Sequence, residues 1–326
     1  MSAQSWNRFN RVCERCMPLV TPCGVVIGFL LGGVAARAEQ FGTLFFAFMT
    51  FTSSLAVDTG SLARVFRRPL ALAVFFVSFH IVQPLCVKLI TLAAFPHDTA
   101  LASGMVLLFS IPAAVSSSIW TAVYGGNTAL TIAIVVFDTL LAPFLTPATI
   151  SLLVGSRVVL DAAGMVQSLL WMVVIPSAAG ICVNQFSRGA IPERILPVCR
   201  PLSKFALLLV IVVNAGAMRA SITRFDSVYI TAGIAVVCCS FLGFAVGRVC
   251  ARIFRLPYDE AVSLTFNCGL RNISAALVLA ISFFEPRSGV PVIIGILFQQ
   301  TLAGVCSRLL LKRQKPPSEA PAGEKS

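Results

Sequence analysis

Two opposite charges lie deep inside otherwise apolar stretches of the chain, and they are the residues best placed to do chemistry. Arg271 follows about 13 residues of its stretch, which is roughly 20 Å at the rise of a helix. Asp138 lies at a similar depth in another stretch. A charge at the centre of a bilayer costs at least about 2.5–3.5 kcal/mol, so it pairs or marks a transport pathway.

Three interpretations of Arg271 and Asp138 are open from the sequence. They can form a static salt bridge that joins two helices, or they can lie apart without contact. Alternatively, Arg271 binds a substrate carboxylate through two parallel hydrogen bonds, while Asp138 takes up a proton and is the coupling candidate. Only this last interpretation makes transport proton-linked.

The composition predicts a membrane protein. Of 326 residues, 57% are hydrophobic and 12% charged, and the mean hydropathy is +0.90, whereas soluble domains are about 25% charged. The net charge of +12 lies in the connections, so we predict no nucleic-acid partner. Cys13 and Cys16 form a lone CxxC without further zinc ligands, and no Walker loop or nucleophile motif occurs. We therefore predict no metal, no cofactor and no enzymatic activity.

Apolar runs and their breaks predict ten spans. They cover residues 19–37, 41–57, 69–95, 99–124, 127–153, 158–185, 201–218, 227–253, 258–284 and 289–311. Eighteen basic residues then lie on the side of the N-terminus and five on the other, which places both termini in the cytoplasm. The predicted divisions are a cytoplasmic segment 1–18, five-span repeats 19–156 and 157–311, and a cytoplasmic disordered tail 312–326.

Two spans carry polar interruptions at equivalent places. The fourth span reads PAAVSSS over 112–118, and the ninth reads FNCGLRN over 266–272. Each is the fourth of five spans, and five is odd, so the second group enters the membrane from the opposite side. This pattern predicts an all-α inverted repeat with discontinuous fourth and ninth helices. Their crossing exposes backbone groups that can hold an anion or a small ion.

The two interrupted spans resemble the bile acid:sodium symporter family. The resemblance is carried by LPYDEAVSLTFNCGLRN over 256–272, PAAVSSS over 112–118, GNTALT over 126–131 and LLAPFLTP over 140–147. It extends over residues 20–311 and implies ten spans, crossed fourth and ninth helices in a core domain, and a panel domain of spans one, two, six and seven. It also implies transport of organic anions.

The chain departs from the sodium-site pattern of the resembling family. There, a ninth-helix glutamate serves two sodium ions, whereas this chain has Asn267 at that place and Arg271 further along. The positions that correspond to sodium ligands are Phe79, Ser117, Ser118, Thr131, Val135, Asn267 and Arg271. Sodium needs several oxygen ligands and a compensating negative charge. Because Arg271 is a permanent cation, we predict sodium-independent transport.

The expected function is secondary active transport of a small organic anion, a carboxylate, across the inner (plasma) membrane by alternating access. The candidate substrate-binding residues are Ser117, Ser118, Arg271, Asn272, Gln299 and Gln300. His80, near the vacated third-helix position, is expected to be neutral and bonded to a backbone carbonyl, with a proton carrier as its alternative role.

Two alternative functions are open. The chain can be an arsenite-type oxyanion exporter, for which Cys268 at the crossing supplies a thiolate. It can also be a receptor that keeps the carrier fold without transporting. Uptake into proteoliposomes separates the second alternative from a transporter.

Overall fold

The computed structural model describes residues 22–38, 41–57, 69–154, 161–219 and 227–311. Within these ranges the fold is all-helical, as predicted, and an isolated antiparallel bridge between Ala113 and Arg271 is the one β-type contact. The segment 1–18 with its CxxC, the tail 312–326 and the boundary between residues 156 and 157 lie outside the described residues.

The helices follow the order of the predicted spans. They are α1 (Pro22–Leu31), extended by a turn at Gly33–Ala36, α2 (Gly42–Ser54), α3 (Pro69–Ala94), α4 (Thr99–Ser110), α5 (Ser117–Val123), α6 (Thr128–Val154), α7 (Ala162–Ser187), α8 (Ala190–Arg219), α9 (Ser227–Ile253), α10 (Tyr258–Gly269), α11 (Ile273–Phe283) and α12 (Gly289–Leu310). The predicted fourth and ninth spans each correspond to two helices, α4 with α5 and α10 with α11.

Six segments are long and apolar enough to cross a membrane. They comprise α3, α6, α7, α9, the stretch Ala190–Gly216 of α8, and α12 with its preceding turn, and they are 25 to 27 residues long, above the roughly 20 that a bilayer requires. The structure therefore confirms a multi-span helical protein. The total of ten spans depends on the shorter α1, α2 and the two interrupted pairs crossing as well.

The helix of the predicted seventh span is longer than that span. The span was placed at residues 201–218, whereas α8 begins at Ala190 and continues through Pro197 and Pro201. The predicted span began only after the charged residues of this region. A helix can nevertheless continue through charged residues where it lies outside the apolar core. Glu193 in the first turn of α8 also complements the positive end of the helix dipole.

The helices form two groups that mostly pack within themselves. One group contains α1, α2, α7 and α8, and the other contains α3 to α6 with α9 to α12. Glycines allow close packing inside the second group: a Cβ added at Gly247 of α9 would lie 2.8 Å from Leu264 O and from Cys268 Cβ in α10. The helix that carries the polar ninth-span motif is therefore held tightly against α9.

A π-helical turn interrupts α3 over Ser78–Val82, where the Gln83 N–H bonds to Ser78 O five residues back. The next residue is Pro84, which has no N–H to continue the α-helical pattern. Such bulges change which side chains face inward. In α3 the bulge carries Phe79 and His80 toward the two interrupted spans.

Candidate substrate and ion site at the helix crossing

The two helix interruptions meet and bond to each other. The chain is extended at Ile111 after α4 and at Leu270 after α10. The Ala114 N–H donates to Leu270 O at 2.9 Å, and the Asn272 N–H donates to Pro112 O at 2.8 Å. This short antiparallel contact is the crossing that the sequence pattern predicts, and it lies inside the second helix group.

Two side chains from neighbouring helices satisfy further backbone groups of the crossing. Asp138 of α6 accepts a hydrogen bond from the Ala113 N–H through Oδ2 at 2.7 Å. Gln299 of α12 accepts from the Arg271 N–H at 2.9 Å and donates to Arg271 O at 3.0 Å. Backbone groups without such partners would be costly at this depth, so both side chains stabilise the interruptions.

The side chain of Arg271 is buried at the crossing and is only 2% exposed. Its Nη2 donates to Gln83 Oε1 at 2.6 Å, and its Nη1 donates to Ile111 O at 3.1 Å. The guanidinium carbon lies 3.4 Å from the centre of the Phe79 ring, a cation–π contact. The charge is therefore held by a planar ring and two oxygens, and it points neither to lipid nor to water.

Arg271 and Asp138 do not form a direct ion pair in the described structure, so the static salt bridge is not the arrangement found. Asp138 Oδ1 lies 2.7 Å from His80 Nε2, and Oδ2 is bonded to the backbone at residue 113. The expectation that His80 bonds to a backbone carbonyl was therefore wrong. Both side chains nevertheless bond to the segment 111–113. Arg271 bonds to the carbonyl of Ile111, and Asp138 bonds to the N–H of Ala113.

Three of the positions that correspond to sodium ligands make hydrogen bonds between neutral groups. The Ser117 hydroxyl donates to Asn267 Oδ1 at 3.0 Å, and the Asn267 amide donates to Ser263 O at 2.8 Å. The Thr131 hydroxyl bonds to that of Thr121 at 3.1 Å. None of these residues is a carboxylate. Their buried polar atoms already hydrogen-bond to one another.

Three further positions of that set offer no inward oxygen. Val135 is a buried aliphatic side chain, and Phe79 presents its ring to Arg271. The Ser118 hydroxyl donates to Val115 O within its own turn. Of these three side chains, the Phe79 ring is the one that contacts the guanidinium of Arg271.

The predicted substrate residues do not all lie at one surface. Ser117 is fully buried, and Gln299 is bonded to the backbone of the crossing. Asn272 caps α11, where its Oδ1 accepts from the Ala275 N–H at 3.5 Å. Ser118, Asn272 and Gln299 are partly exposed and Gln300 is exposed. They are the accessible members of the predicted set, whereas Ser117 and Arg271 are buried.

Sequence reasoning missed several residues of this site. Gln83 lies one turn beyond Phe79 on α3, and a lone amide in an apolar span was the available signal. The Trp120 indole N–H donates to Gln300 Oε1 at 3.0 Å, and the Gln300 amide lies 3.4 Å from Ser116 Oγ. These three residues form a second polar surface beside the crossing.

The described residues include no group of three His, Cys, Asp or Glu side chains arranged to hold a metal. Cys268 is buried, and its sulfur lies 3.5 Å from Ser78 Oγ. A single thiol beside a hydroxyl is a poor arsenite ligand set, because soft metalloids favour several thiolates.

Comparison with known proteins places the chain among membrane transporters. The profile of the Sodium Bile acid symporter family matches residues 43–225. Uncharacterized protein YbaS of Bacillus subtilis (strain 168) is 36% identical over 304 residues, covering 92% of this chain and 98% of that protein. Uncharacterized sodium-dependent transporter YocS of the same organism is 25% identical over 271 residues, covering 82% and 81%.

A solved structure has a similar fold. The sodium proton antiporter MjNhaP1 from Methanocaldococcus jannaschii at pH 8 superposes with a TM-score of 0.58, covering 93% of this chain and 100% of that chain. Its sequence is 11% identical, so the likeness concerns the fold alone.

Proposed function

The chain belongs to the sodium bile acid symporter family, and from that membership we propose that it carries a small organic anion by alternating access. Its family and its relatives are membrane transporters, and this protein is likewise a membrane transporter and not an enzyme. The observation that carries the anion proposal is the buried guanidinium of Arg271, which no carboxylate of the described residues contacts directly. A fixed positive charge at interrupted helices favours a negatively charged substrate.

Unpartnered polar atoms around Arg271 support this proposal. Four buried side-chain atoms of the described residues lack a hydrogen-bond partner, and three of them belong to His80, Gln83 and Arg271. Folded proteins contain few such atoms, and each needs a water, an ion or a ligand to explain it. Arg271 Nε and Gln83 Nε2 are N–H donors, which suit the oxygens of a carboxylate.

Matching contacts at the two ends of the second helix group support an inverted repeat. Asp98, just before α4, bonds to Arg287, just before α12, with Oδ2 to Nη2 at 2.8 Å. Asp259, at the start of α10, accepts from the Asn127 amide just before α6 at 3.1 Å. In the first contact, the start of the fourth span of the first half meets the start of the fifth span of the second half. In the second contact, the two halves exchange these roles. We propose that residues 19–156 and 157–311 are the two repeats.

In the proposed transport cycle, the group containing the crossing moves against the group of α1, α2, α7 and α8. The partly exposed Ser118 and Asn272 and the exposed Gln300 would meet the substrate first. Arg271 would supply the attracting charge from behind them. Ser117 and Gln299 would hold the crossing in shape, since both are bonded within it.

We further propose that transport does not require sodium, although a relative is named a sodium-dependent transporter. In this chain the position of the shared carboxylate is Asn267, which is engaged with Ser117 and Ser263. Phe79 offers a ring to the guanidinium in place of an oxygen ligand. A sodium ion placed beside Arg271 would be repelled, and Asp138, the carboxylate at the crossing, already compensates the guanidinium. Asp138 is the candidate for coupling to a proton instead.

The protein is a multi-pass membrane protein, and we propose the bacterial plasma membrane as its location. The excess of basic residues on one side supports cytoplasmic termini. In this orientation residues 1–18 and 312–326 are both cytoplasmic segments.

Counterflow in proteoliposomes tests the proposed function. Vesicles are loaded with taurocholate, lactate, pyruvate or succinate, and uptake of the same labelled anion is measured in sodium chloride and in choline chloride. We expect counterflow of at least one anion, with rates equal in the two salts. A rate that falls about tenfold or more without sodium contradicts sodium independence.

The same preparation separates transport from binding alone. Thermal stability is measured with each anion, because a ligand that binds the folded state raises its stability. Stabilisation without counterflow would identify a receptor, and neither effect with any anion would contradict an organic-anion carrier.

A further inference from the structure

We propose that the buried His80 and Asp138 form a proton-binding pair, and that one proton crosses the membrane with each monovalent anion. This role rests on the proposed anion transport and specifies its coupling ion and stoichiometry. It follows from the hydrogen bonds, the burial and the balance of charges around the pair.

The two side chains share a short hydrogen bond within the second helix group. His80 Nε2 and Asp138 Oδ1 are 2.7 Å apart, and the side chains are 8% and 0% exposed. In the proposed pair the Asp138 carboxylate accepts this hydrogen bond and His80 Nε2 donates it. His80 Nδ1 then presents a lone pair that has no partner among the described residues. The pair can therefore take up one further proton at this nitrogen.

Few titratable or charged groups face the pair from the elements around it. They are Arg271 and Cys268 at the second interruption, and the thiol of Cys250 on α9, which interacts with Cys268. Residues 111–117 contribute none. Because thiols are neutral at pH 7, Arg271 and Asp138 are the charges at the crossing in the described structure, and they cancel.

This cancellation sets the stoichiometry. A monovalent anion that binds beside Arg271 adds one uncompensated negative charge inside the membrane, where isolated charges are strongly unfavourable. A proton on His80 restores electrical neutrality. Anion and proton therefore bind in a one-to-one ratio, and the loaded carrier crosses without moving net charge.

The proton step breaks no covalent bond of the protein. A proton from water on one side adds to His80 Nδ1, and the resulting imidazolium donates Nε2–H to the ionised Asp138. The same proton leaves Nδ1 to water on the other side after the anion departs. In the described conformation an Nδ1–H would have no acceptor. Protonation therefore favours a conformation in which water reaches Nδ1.

The anion site and the proton pair are connected by three residues of backbone. Arg271 Nη1 bonds to Ile111 O, and Asp138 Oδ2 bonds to the Ala113 N–H. The π-helical turn Ser78–Val82 carries His80 into the same place. A change in the charge of the pair is thus transmitted to the segment that contacts the guanidinium.

Proton movement in proteoliposomes tests this coupling. Vesicles contain a pH-sensitive dye, and lactate is added, or whichever monovalent anion of the panel shows counterflow. We expect one proton to enter with each anion, and about tenfold accumulation per unit of pH gradient. Potentials imposed with potassium and valinomycin should not change that accumulation. Anion entry without proton entry overturns the proposal.

Two histidine variants form a matched pair for this assay, because the chain contains two histidines. His97→Gln, at an exposed loop position, should leave the proton-to-anion ratio at one. His80→Gln should abolish proton entry, and its counterflow in the same vesicles shows whether the variant is folded. Proton entry that persists in folded His80→Gln also overturns the proposal.

A spectroscopic measurement does not depend on the His80 substitution. In His97→Gln protein labelled with ¹⁵N-histidine, His80 gives the one imidazole signal. At constant pH, saturation with the transported anion should convert it from the neutral to the doubly protonated form. An unchanged neutral signal contradicts the proton pair while leaving anion transport intact. If no anion is carried, the proposed function fails and the coupling fails with it.

Discussion

Replacing Arg271 by alanine should destabilise the fold, because this side chain is a structural part of the crossing. The substitution removes two charge-assisted hydrogen bonds, of 2.6 and 3.1 Å, and a cation–π contact of 3.4 Å. Each such bond contributes about 1.5–3 kcal/mol, and a desolvated cation–π contact about 2 kcal/mol. Removing the buried charge also removes its unfavourable burial free energy of about 2.5–3.5 kcal/mol, which offsets part of this loss.

The net loss is about 3 kcal/mol, and Asp138 also loses its compensating charge. In a chain of this size that corresponds to a melting temperature lower by about 4 °C. Thermal unfolding of the purified protein, followed by tryptophan fluorescence, measures the change. The melting temperature of Arg271→Lys should lie between those of the unmodified protein and Arg271→Ala. An ammonium keeps the charge, but it neither stacks on a ring nor forms a planar fork.

Arg308→Ala is the matched control. Arg308 lies in the last turn of α12 and is exposed, so its removal should lower the melting temperature by less than about 2 °C. If Arg271→Ala melts at the same temperature as this control, the guanidinium does not hold the crossing. The argument that it replaces a bound cation would then be refuted.

Three further substitutions test other parts of the structure. Asp138→Asn should flatten the dependence of anion uptake on external pH between about pH 5.5 and 7.5, because an amide does not stabilise a protonated His80 as a carboxylate does; an unchanged pH profile contradicts this role. Asn267→Glu combined with Arg271→Gln should raise the melting temperature by about 3 °C in sodium chloride over potassium chloride. Asn184→Ala removes bonds of 2.9 and 2.8 Å to two carbonyls at the end of α2, which should cost about 1–2 kcal/mol in thermal unfolding.

The helix positions and the crossing could be predicted because they depend on local sequence. An apolar run of about 20 residues forms a spanning helix whatever its neighbours are. Pro112 and Gly269 mark the interruptions, since proline and glycine weaken helices independently of tertiary contacts. The start of α8 could not be read in this way, because its charges and prolines lie in a continuous helix.

The partners of the buried charges could not be predicted from spacing. Arg271 bonds to Gln83, 188 residues away, and Asp138 bonds to His80, 58 residues away. Both partners come from α3, where a π-helical turn shifts the inward face by one residue. Helical periodicity assumes a regular helix, so it misses such a shift.

A fixed cation changes what an empty carrier must do. A carrier that binds sodium releases its positive charge with its substrate, whereas Arg271 keeps its charge through the whole cycle. The empty crossing must therefore contain its own negative charge, and Asp138, bonded to residue 113 of the crossing, supplies it. In the proposed cycle the bound anion adds one surplus negative charge, and the proton on His80 compensates it. The guanidinium, the carboxylate and His80 are thus three parts of one charge balance.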